Sequence, residues 1–141
     1  MSFKRKVLFL CNGNSCRSQM AEAIVNKHRG RRWDAYSAGT HPAGYVHPMA
    51  LKALAEIGIQ HQGRSKHVDE YRGLDFNLVV TLCDNAAENC PLWLGKGKMV
   101  HLGFPDPAAV QGSTDEIMTV FCQVRNEISV KVSALLKQHE G

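Results

Sequence analysis

Two residues that can act on an oxyanion stand close together near the start of the chain. Cys11 and Arg17 bound the string CNGNSCR, which follows the apolar run at residues 7–10. A cysteine thiolate is a strong nucleophile, and a planar guanidinium can grip two oxygens of a tetrahedral oxyanion. The hydroxyl of Ser18 can donate a hydrogen bond to that thiolate. The spacing therefore predicts a loop that binds a tetrahedral oxyanion and aims a nucleophilic sulfur at its central atom.

The stretches on either side of this loop are typical of the elements that would position both residues. Residues 7–10 are apolar without interruption, which is typical of a short strand buried on both faces. Gly13 and Asn14 tolerate positive φ, which a tight loop needs if its N–H groups are to converge. Residues 17–27 lack glycine and proline and carry apolar side chains at helical spacing. The positive end of a helix beginning there favours both an anion and the thiolate of Cys11.

We call residues 11–18, CNGNSCRS, the oxyanion loop. The residues expected to bind the substrate are Asn12, Gly13, Asn14, Ser15, Cys16, Arg17 and Ser18. The alternative is a buried structural cysteine followed by an ordinary helix. The full string between a strand and a helix is more specific than a cysteine and an arginine at this spacing, so the oxyanion loop is favoured.

The rest of the chain alternates strands and helices. Strands are predicted at residues 33–37, 78–82 and 99–102, and helices at residues 48–57 and about 114–137. This alternation predicts a single α/β domain over residues 1–141, with a parallel sheet and helices on both faces. In such sheets ligands bind at the carboxyl ends of the strands. Cys11 and Cys83 each follow a strand, so they can be neighbours in space.

The bulk composition excludes several classes of function. A net charge of +4 without a large basic, aromatic face does not favour nucleic-acid binding. No stretch approaches the roughly 20 apolar residues of a membrane span, and the apolar run near the N-terminus is too short for a signal peptide. Five cysteines without a secretory signal predict a reducing cytoplasm and reactive thiols. A monomer is the default expectation.

Two further cysteines and one acid are candidates for chemistry. Cys83 and Cys90 enclose the polar string DNAAEN, where the alternatives are two buried structural thiols or a zinc site. Zinc would need ligands at metal-like spacing, and the histidines do not cluster suitably around this pair. Asp106 lies between two prolines, in a stiff loop that suits a carboxyl group held over an active site. A plain turn aspartate is the alternative.

These motifs together resemble a known family. The string CNGNSCRS is similar to the signature loop of the low-molecular-weight tyrosine phosphatase superfamily, and Ser37-Ala-Gly and Asp106-Pro107 fall where that family has similar features. The string TLCDNAAENCP resembles the cysteine pair of the thioredoxin-coupled arsenate reductases within that superfamily. The likeness spans almost the whole chain. It implies a three-layer domain with a four-stranded parallel sheet flanked by helices.

The resemblance also implies a thiol relay that reduces arsenate to arsenite. Cys11 attacks arsenic, Cys83 attacks the sulfur of Cys11 as arsenite departs, and Cys90 then attacks Cys83. Asp106 corresponds to the general acid that protonates the leaving oxygen. Thioredoxin would reduce the final disulfide, with glutaredoxin or another small thiol as the alternative donor. Phosphate or sulfate would fit the same loop, and no bound cofactor is expected.

Some arsenate reductases of this kind bind potassium beside the signature loop. Asn14, Glu22 and Ser37 match three of those ligand positions, whereas His67 stands where an acidic group is expected, so no metal is predicted. Two other functions compete with the reductase. A tyrosine phosphatase would use Cys11, Arg17 and Asp106 alone, but it leaves the cysteine pair without a task. A non-catalytic oxyanion-binding module explains neither of those cysteines.

Overall fold

The fold is built on a parallel sheet in which the strand leading to Cys11 is internal. The computed structural model describes residues 4–84 and 95–140. The described strands are β1 (Arg5–Leu10), β2 (Trp33–Ala38), β3 (Leu78–Thr81) and β4 (Lys98–His101). Their order across the sheet is β2-β1-β3-β4, and every neighbouring pair is parallel. The end of β1 is therefore flanked by the ends of β2 and β3.

Two helices of the fold begin at residues whose chemistry suits a helix start. In the described part of the chain the helices are α1 (Arg17–His28), α2 (Pro48–Glu56) and α3 (Thr114–Gln138), with 3-10 turns at Val68–Tyr71 and Pro107–Ala109. Helix α2 starts at a proline, and the side chain of His47 accepts a hydrogen bond from the Met49 N–H. Helix α3 starts from a capping box in which Ser113 and Glu116 bond each other's backbone N–H groups.

Alternate side chains of β1 enter two separate cores. Val7 and Phe9 belong to the larger core, which also takes apolar residues from α1, α2 and α3. Leu8 and Leu10 belong to a smaller core, which they share with Val68, Phe76 and Val79. The last four of the six β1 residues are fully buried, as expected for a strand covered on both faces. Burial on both sides fixes the position of β1, and with it the position of Cys11.

The predicted fold class is confirmed, and each predicted strand and helix is present within a few residues of its expected bounds. The two faces of the sheet are covered by different kinds of element, however. In the described residues, α1, α2 and α3 contact one another on one face of the sheet. The 3-10 turn Val68–Tyr71 and Phe76 help to cover the other face. The extent of the domain over residues 1–141 stays a prediction.

No helix in residues 4–84 and 95–140 is long and apolar enough to cross a membrane.

Candidate active site

The oxyanion loop is held in place by backbone hydrogen bonds from the segment between β2 and α2. Three N–H groups of residues 41–47 donate to loop carbonyl oxygens at 2.9 to 3.0 Å. The pairs are His41 with Asn12, Ala43 with Gly13, and His47 with Ser15. Bare carbonyl oxygens would repel an anion, and these three are already paired. Residues distant in sequence thus fix the shape of the loop.

Asn14 is the residue at which the loop turns. Its φ is 48°, a conformation that asparagine adopts more readily than most residues, and it is fully buried. Its Nδ2 donates to Ser18 Oγ at 2.8 Å, and its Oδ1 accepts the Lys66 N–H at 2.9 Å. Gln19 Nε2 donates to the Asn14 carbonyl oxygen at 3.1 Å. The Asn14 side chain therefore ties the loop to the start of α1 and to the segment before Val68–Tyr71.

Ser18 connects this network to the candidate nucleophile. Cys11 Sγ lies 2.9 Å from Ser18 Oγ, and both residues are buried. Ser18 Oγ already accepts a hydrogen bond from Asn14 Nδ2, so its own hydrogen is available for the sulfur. A hydroxyl that donates to sulfur stabilises the thiolate more than the thiol. The predicted contact between Ser18 and Cys11 is present.

Arg17 and Asp106 are distant in sequence but lie close together at the loop. The Arg17 side chain is buried, and its Nη1 donates to the Phe104 carbonyl oxygen at 3.2 Å. Its Nη2 lies 3.8 Å from Asp106 Oδ2. Asp106 caps the turn Pro107–Ala109 by accepting the Ala108 N–H at 3.0 Å, and about a third of its side chain (35%) is exposed. A carboxyl group is thus held beside the guanidinium and open to solvent.

The cysteines fall into distinct environments. Cys11 follows β1 and Cys83 follows the adjacent β3, where the Leu82 N–H donates to the Leu10 carbonyl oxygen at 2.8 Å. Cys83 is fully buried and disulfide-bonded, whereas Cys11, Cys16 and Cys122 are free thiols. Cys90 lies outside the described residues. The expectation that Cys11 and Cys83 lie at one edge of the sheet agrees with the strand order.

Burial makes Cys16 a poor nucleophile. It precedes α1 and is almost fully buried, and this burial raises the pKa of its thiol to about 12. Its sulfur lies 3.6 Å from Ser15 Oγ. The thiol of Cys16 therefore stays neutral at physiological pH.

A buried ionic cluster behind the loop was not predicted. Lys66 Nζ lies 2.8 Å from the Arg64 carbonyl oxygen, 3.3 Å from Ser37 Oγ and 3.8 Å from Glu22 Oε1. Burial lowers the pKa of the Lys66 ammonium and raises the pKa of the Glu22 carboxyl. Lys66 lies in a polar, irregular stretch, and a single lysine there carries no periodic signal that could have indicated burial.

The potassium ligands suggested by the resemblance do not fit a metal ion in this chain. Asn14, Glu22 and Ser37 converge, but they converge on the ammonium of Lys66. His67 points elsewhere, since its Nδ1 accepts the Asp69 N–H at 3.0 Å. A second cation among the same oxygens would be repelled by Lys66. No cluster of His, Cys, Asp and Glu in the described ranges could hold a metal ion.

Gly39 directly follows β2, at a position where the structure leaves no room for a side chain. A Cβ atom at this position would lie 2.4 Å from the Asn12 carbonyl oxygen and 2.7 Å from that of Cys11. Its N–H donates to the Lys66 carbonyl oxygen at 3.0 Å. The backbone of β2 therefore passes too close to the oxyanion loop for any side chain.

The fold and the loop define a phosphatase-type oxyanion site. The family model described as low molecular weight phosphotyrosine protein phosphatase matches residues 6–140, and the chain belongs to this family. Among curated relatives, the chain is similar to an arsenate reductase of Halalkalibacterium halodurans, with 45% identity over 130 residues. That alignment covers 92% of this chain and 93% of the relative. The resemblance to arsenate reductases within the superfamily is thus confirmed.

Solved structures agree with this placement. One is an arsenate reductase in the phosphate binding state, 27% identical with a TM-score of 0.73, covering 95% of this chain and 98% of that chain. Another is a thioredoxin-dependent arsenate reductase of Corynebacterium glutamicum, 26% identical with a TM-score of 0.64. This alignment covers 97% of the present chain and 64% of the Corynebacterium glutamicum chain.

Proposed function

We propose that this chain reduces arsenate to arsenite through Cys11, Cys83 and Cys90. The observation that carries the proposal is the position of Cys83, which follows the strand next to that of Cys11 and is disulfide-bonded. A phosphatase needs one thiol, whereas a reductase must supply two electrons from two thiols. The similarity to arsenate reductases over nearly the whole chain supports the same reaction.

The first step forms a bond between sulfur and arsenic. Arsenate enters the oxyanion loop, where the Arg17 guanidinium and the helix end neutralise its charge. The Cys11 thiolate, stabilised by the hydroxyl of Ser18 at 2.9 Å, attacks arsenic(V). Asp106 gives a proton to the departing oxygen, which leaves as water. The bond from the Ala108 N–H and the nearby Arg17 guanidinium support this role for the Asp106 carboxyl group.

The second step transfers two electrons to arsenic. The thiolate of Cys83 attacks Cys11 Sγ, the bond between sulfur and arsenic breaks, and its electron pair remains on arsenic. Arsenic(III) leaves as arsenite, and a disulfide joins Cys11 to Cys83. The adjacent parallel strands β1 and β3 support this pairing, since both cysteines extend from the same edge of the sheet.

The third step frees Cys11 for another cycle. The Cys90 thiolate attacks Cys83, which releases the Cys11 thiolate and leaves a disulfide between Cys83 and Cys90. We propose thioredoxin as the dithiol that reduces this bond, because a structural relative is a thioredoxin-dependent enzyme. We further propose that the protein works as a monomer in the reducing environment of the cytoplasm, where free thiols persist.

A coupled assay tests the proposal. The reduced protein is mixed with arsenate, thioredoxin, thioredoxin reductase and NADPH, and NADPH oxidation is followed. We expect arsenate-dependent oxidation that is lost in Cys83→Ser and kept in the matched control Cys122→Ser. Cys122 lies on α3, where it donates to Glu56 Oε1 at 3.3 Å. In the reduced protein, Cys90→Ala should release one equivalent of arsenite and then stop.

The competing activity has a distinct outcome in the same experiment. Hydrolysis of an aryl phosphate without arsenate-dependent NADPH oxidation would assign the chain as a phosphatase that uses Cys11, Arg17 and Asp106. Sustained cycling of Cys90→Ala would refute the three-thiol relay while leaving the reductase in place.

A further inference from the structure

Lys66 is a buried lysine whose ammonium group is surrounded by oxygen atoms behind the oxyanion loop. Only 6% of the residue is exposed. The oxygens around Nζ belong to Arg64 (carbonyl, 2.8 Å), Ser37 (hydroxyl, 3.3 Å), Asn14 (Oδ1, 3.5 Å) and Glu22 (Oε1, 3.8 Å). This is the arrangement of a cation site, with the cation supplied by the chain itself.

Lys66 reaches the nucleophile through a short series of contacts. Asn14 Oδ1 accepts hydrogen bonds from both the backbone N–H and the ammonium of Lys66. Asn14 Nδ2 donates to Ser18 Oγ, which lies 2.9 Å from Cys11 Sγ. The Asn14 backbone has positive φ, so its side chain contacts help to hold an otherwise disfavoured loop conformation. Loss of the ammonium would therefore be felt at the oxyanion loop.

The surrounding oxygens explain why a charge is retained at this position. Ser37 Oγ donates to Glu22 Oε1 at 3.0 Å, so the serine hydroxyl bridges the ammonium and the carboxylate. A buried ammonium is costly unless it is paired and hydrogen-bonded, and Lys66 has both kinds of partner. An apolar side chain would fill the same volume but would remove the ammonium that lies 3.8 Å from Glu22 Oε1.

We propose that the Lys66 ammonium acts as a built-in cation that positions the oxyanion loop through Asn14, so that this chain needs no monovalent metal ion there. Lys66 is thus a positioning residue for oxyanion binding. The inference rests on the proposed function only in naming arsenate as the substrate. The affinity of the loop for an oxyanion can be measured without any reduction step.

Protection of Cys11 by inorganic phosphate is the test. The rate of Cys11 alkylation by iodoacetamide is measured by mass spectrometry at increasing phosphate concentrations. We expect Lys66→Ala and Lys66→Met to need roughly tenfold more phosphate than the wild type for equal protection. Ammonium chloride at constant ionic strength should restore protection in Lys66→Ala, whose shortened side chain leaves room among the oxygens. It should not do so in Lys66→Met, whose side chain fills that space.

Three results would overturn the proposal. They are wild-type protection in both variants, equal rescue of both by ammonium, and stronger protection of the wild type in potassium than in sodium. Tetramethylammonium chloride, whose cation is too large for the site, serves as the control salt.

A paired substitution keeps the test valid if the single variants do not fold. Glu22→Gln combined with Lys66→Met removes both buried charges, so neither is left uncompensated. This double variant should show the same loss of phosphate protection without rescue by ammonium, and wild-type protection would refute the role of Lys66. Failure of arsenate reduction with the phosphate results intact would instead refute only the proposed function.

Discussion

At the scale of single residues, two cysteines of the oxyanion loop differ sharply in their surroundings. Both cysteines are buried, but Cys11 Sγ lies 2.9 Å from the hydroxyl of Ser18, whereas desolvation raises the pKa of the Cys16 thiol to about 12. A thiol deprotonates only as the pH approaches its pKa, and the thiolate is the reactive form. Two cysteines of one loop are therefore expected to react at different rates.

This difference can be measured by alkylation. At about pH 8, iodoacetamide should modify Cys11 and leave Cys16 intact, because Cys16 remains protonated far below its pKa. Peptide mass spectrometry after a time course reads both sites, and the denatured protein, in which both should react, is the control. Modification of Cys16 as fast as Cys11 in the folded protein would contradict the assigned burial effect.

The residues of the oxyanion loop could be predicted from the sequence because they form one continuous string between two regular elements. Asn14 has the positive φ expected of a tight loop, and Arg17 and Ser18 are the first residues of α1. Lys66 could not be predicted, since its burial depends on contacts with residues 29 and 52 positions away in the chain. Such contacts leave no local periodicity. The catalytic roles of Cys11, Arg17, Cys83, Cys90 and Asp106 all stay predictions.

At the scale of secondary-structure elements, α3 shows how far local chemistry determines structure. Ser113 Oγ accepts the Glu116 N–H at 3.1 Å, and Glu116 Oε1 accepts the Ser113 N–H at 3.2 Å. A serine followed three residues later by a glutamate can be recognised in the sequence itself, and this pattern predicts the start of α3. The sheet face on which α3 packs was not, because an amphipathic pattern shows that a helix has a buried side but not which surface covers it.

Removal of this cap should weaken the whole domain. Ser113→Ala leaves the Glu116 N–H without its side-chain partner, and we expect a loss of about 1 kcal/mol in the free energy of unfolding. Urea denaturation followed by circular dichroism gives this value. Ser133→Ala, the same substitution inside α3, is the matched control and should be neutral or slightly stabilising. Equal losses in both variants would mean that the capping box contributes nothing specific.

At the scale of the whole molecule, α3 closes the larger core against α1 and α2. Ile128 is fully buried in that core, whereas Val130, two residues further along the same helix, is 71% exposed. A small domain of this kind normally unfolds as one unit. A substitution of Ile128 that destabilises the core should therefore lower the stability measured at every part of the structure, including the oxyanion loop.

Two alanine substitutions test this coupling. Ile128→Ala should lower the free energy of unfolding by about 2 to 5 kcal/mol, because it leaves a cavity in the core. Val130→Ala should change it by less than about 0.5 kcal/mol. Circular dichroism and Cys11 alkylation, both followed in the same urea titration, should give the same midpoint for each variant. Separate midpoints would show that the site and the core unfold independently.

The close approach of Gly39 to the oxyanion loop has a consequence for how such sequences can diverge. The obstacle to a side chain is the backbone of residues 11 and 12, not any group that reacts. Substitutions that suit a different substrate can change the thiols, the acid and other side chains of the site. A side chain at position 39 would still clash with the backbone of the loop. The glycine is therefore required by the shape of the loop and not by the reaction, so a side chain at position 39 would have to displace the backbone of residues 11 and 12.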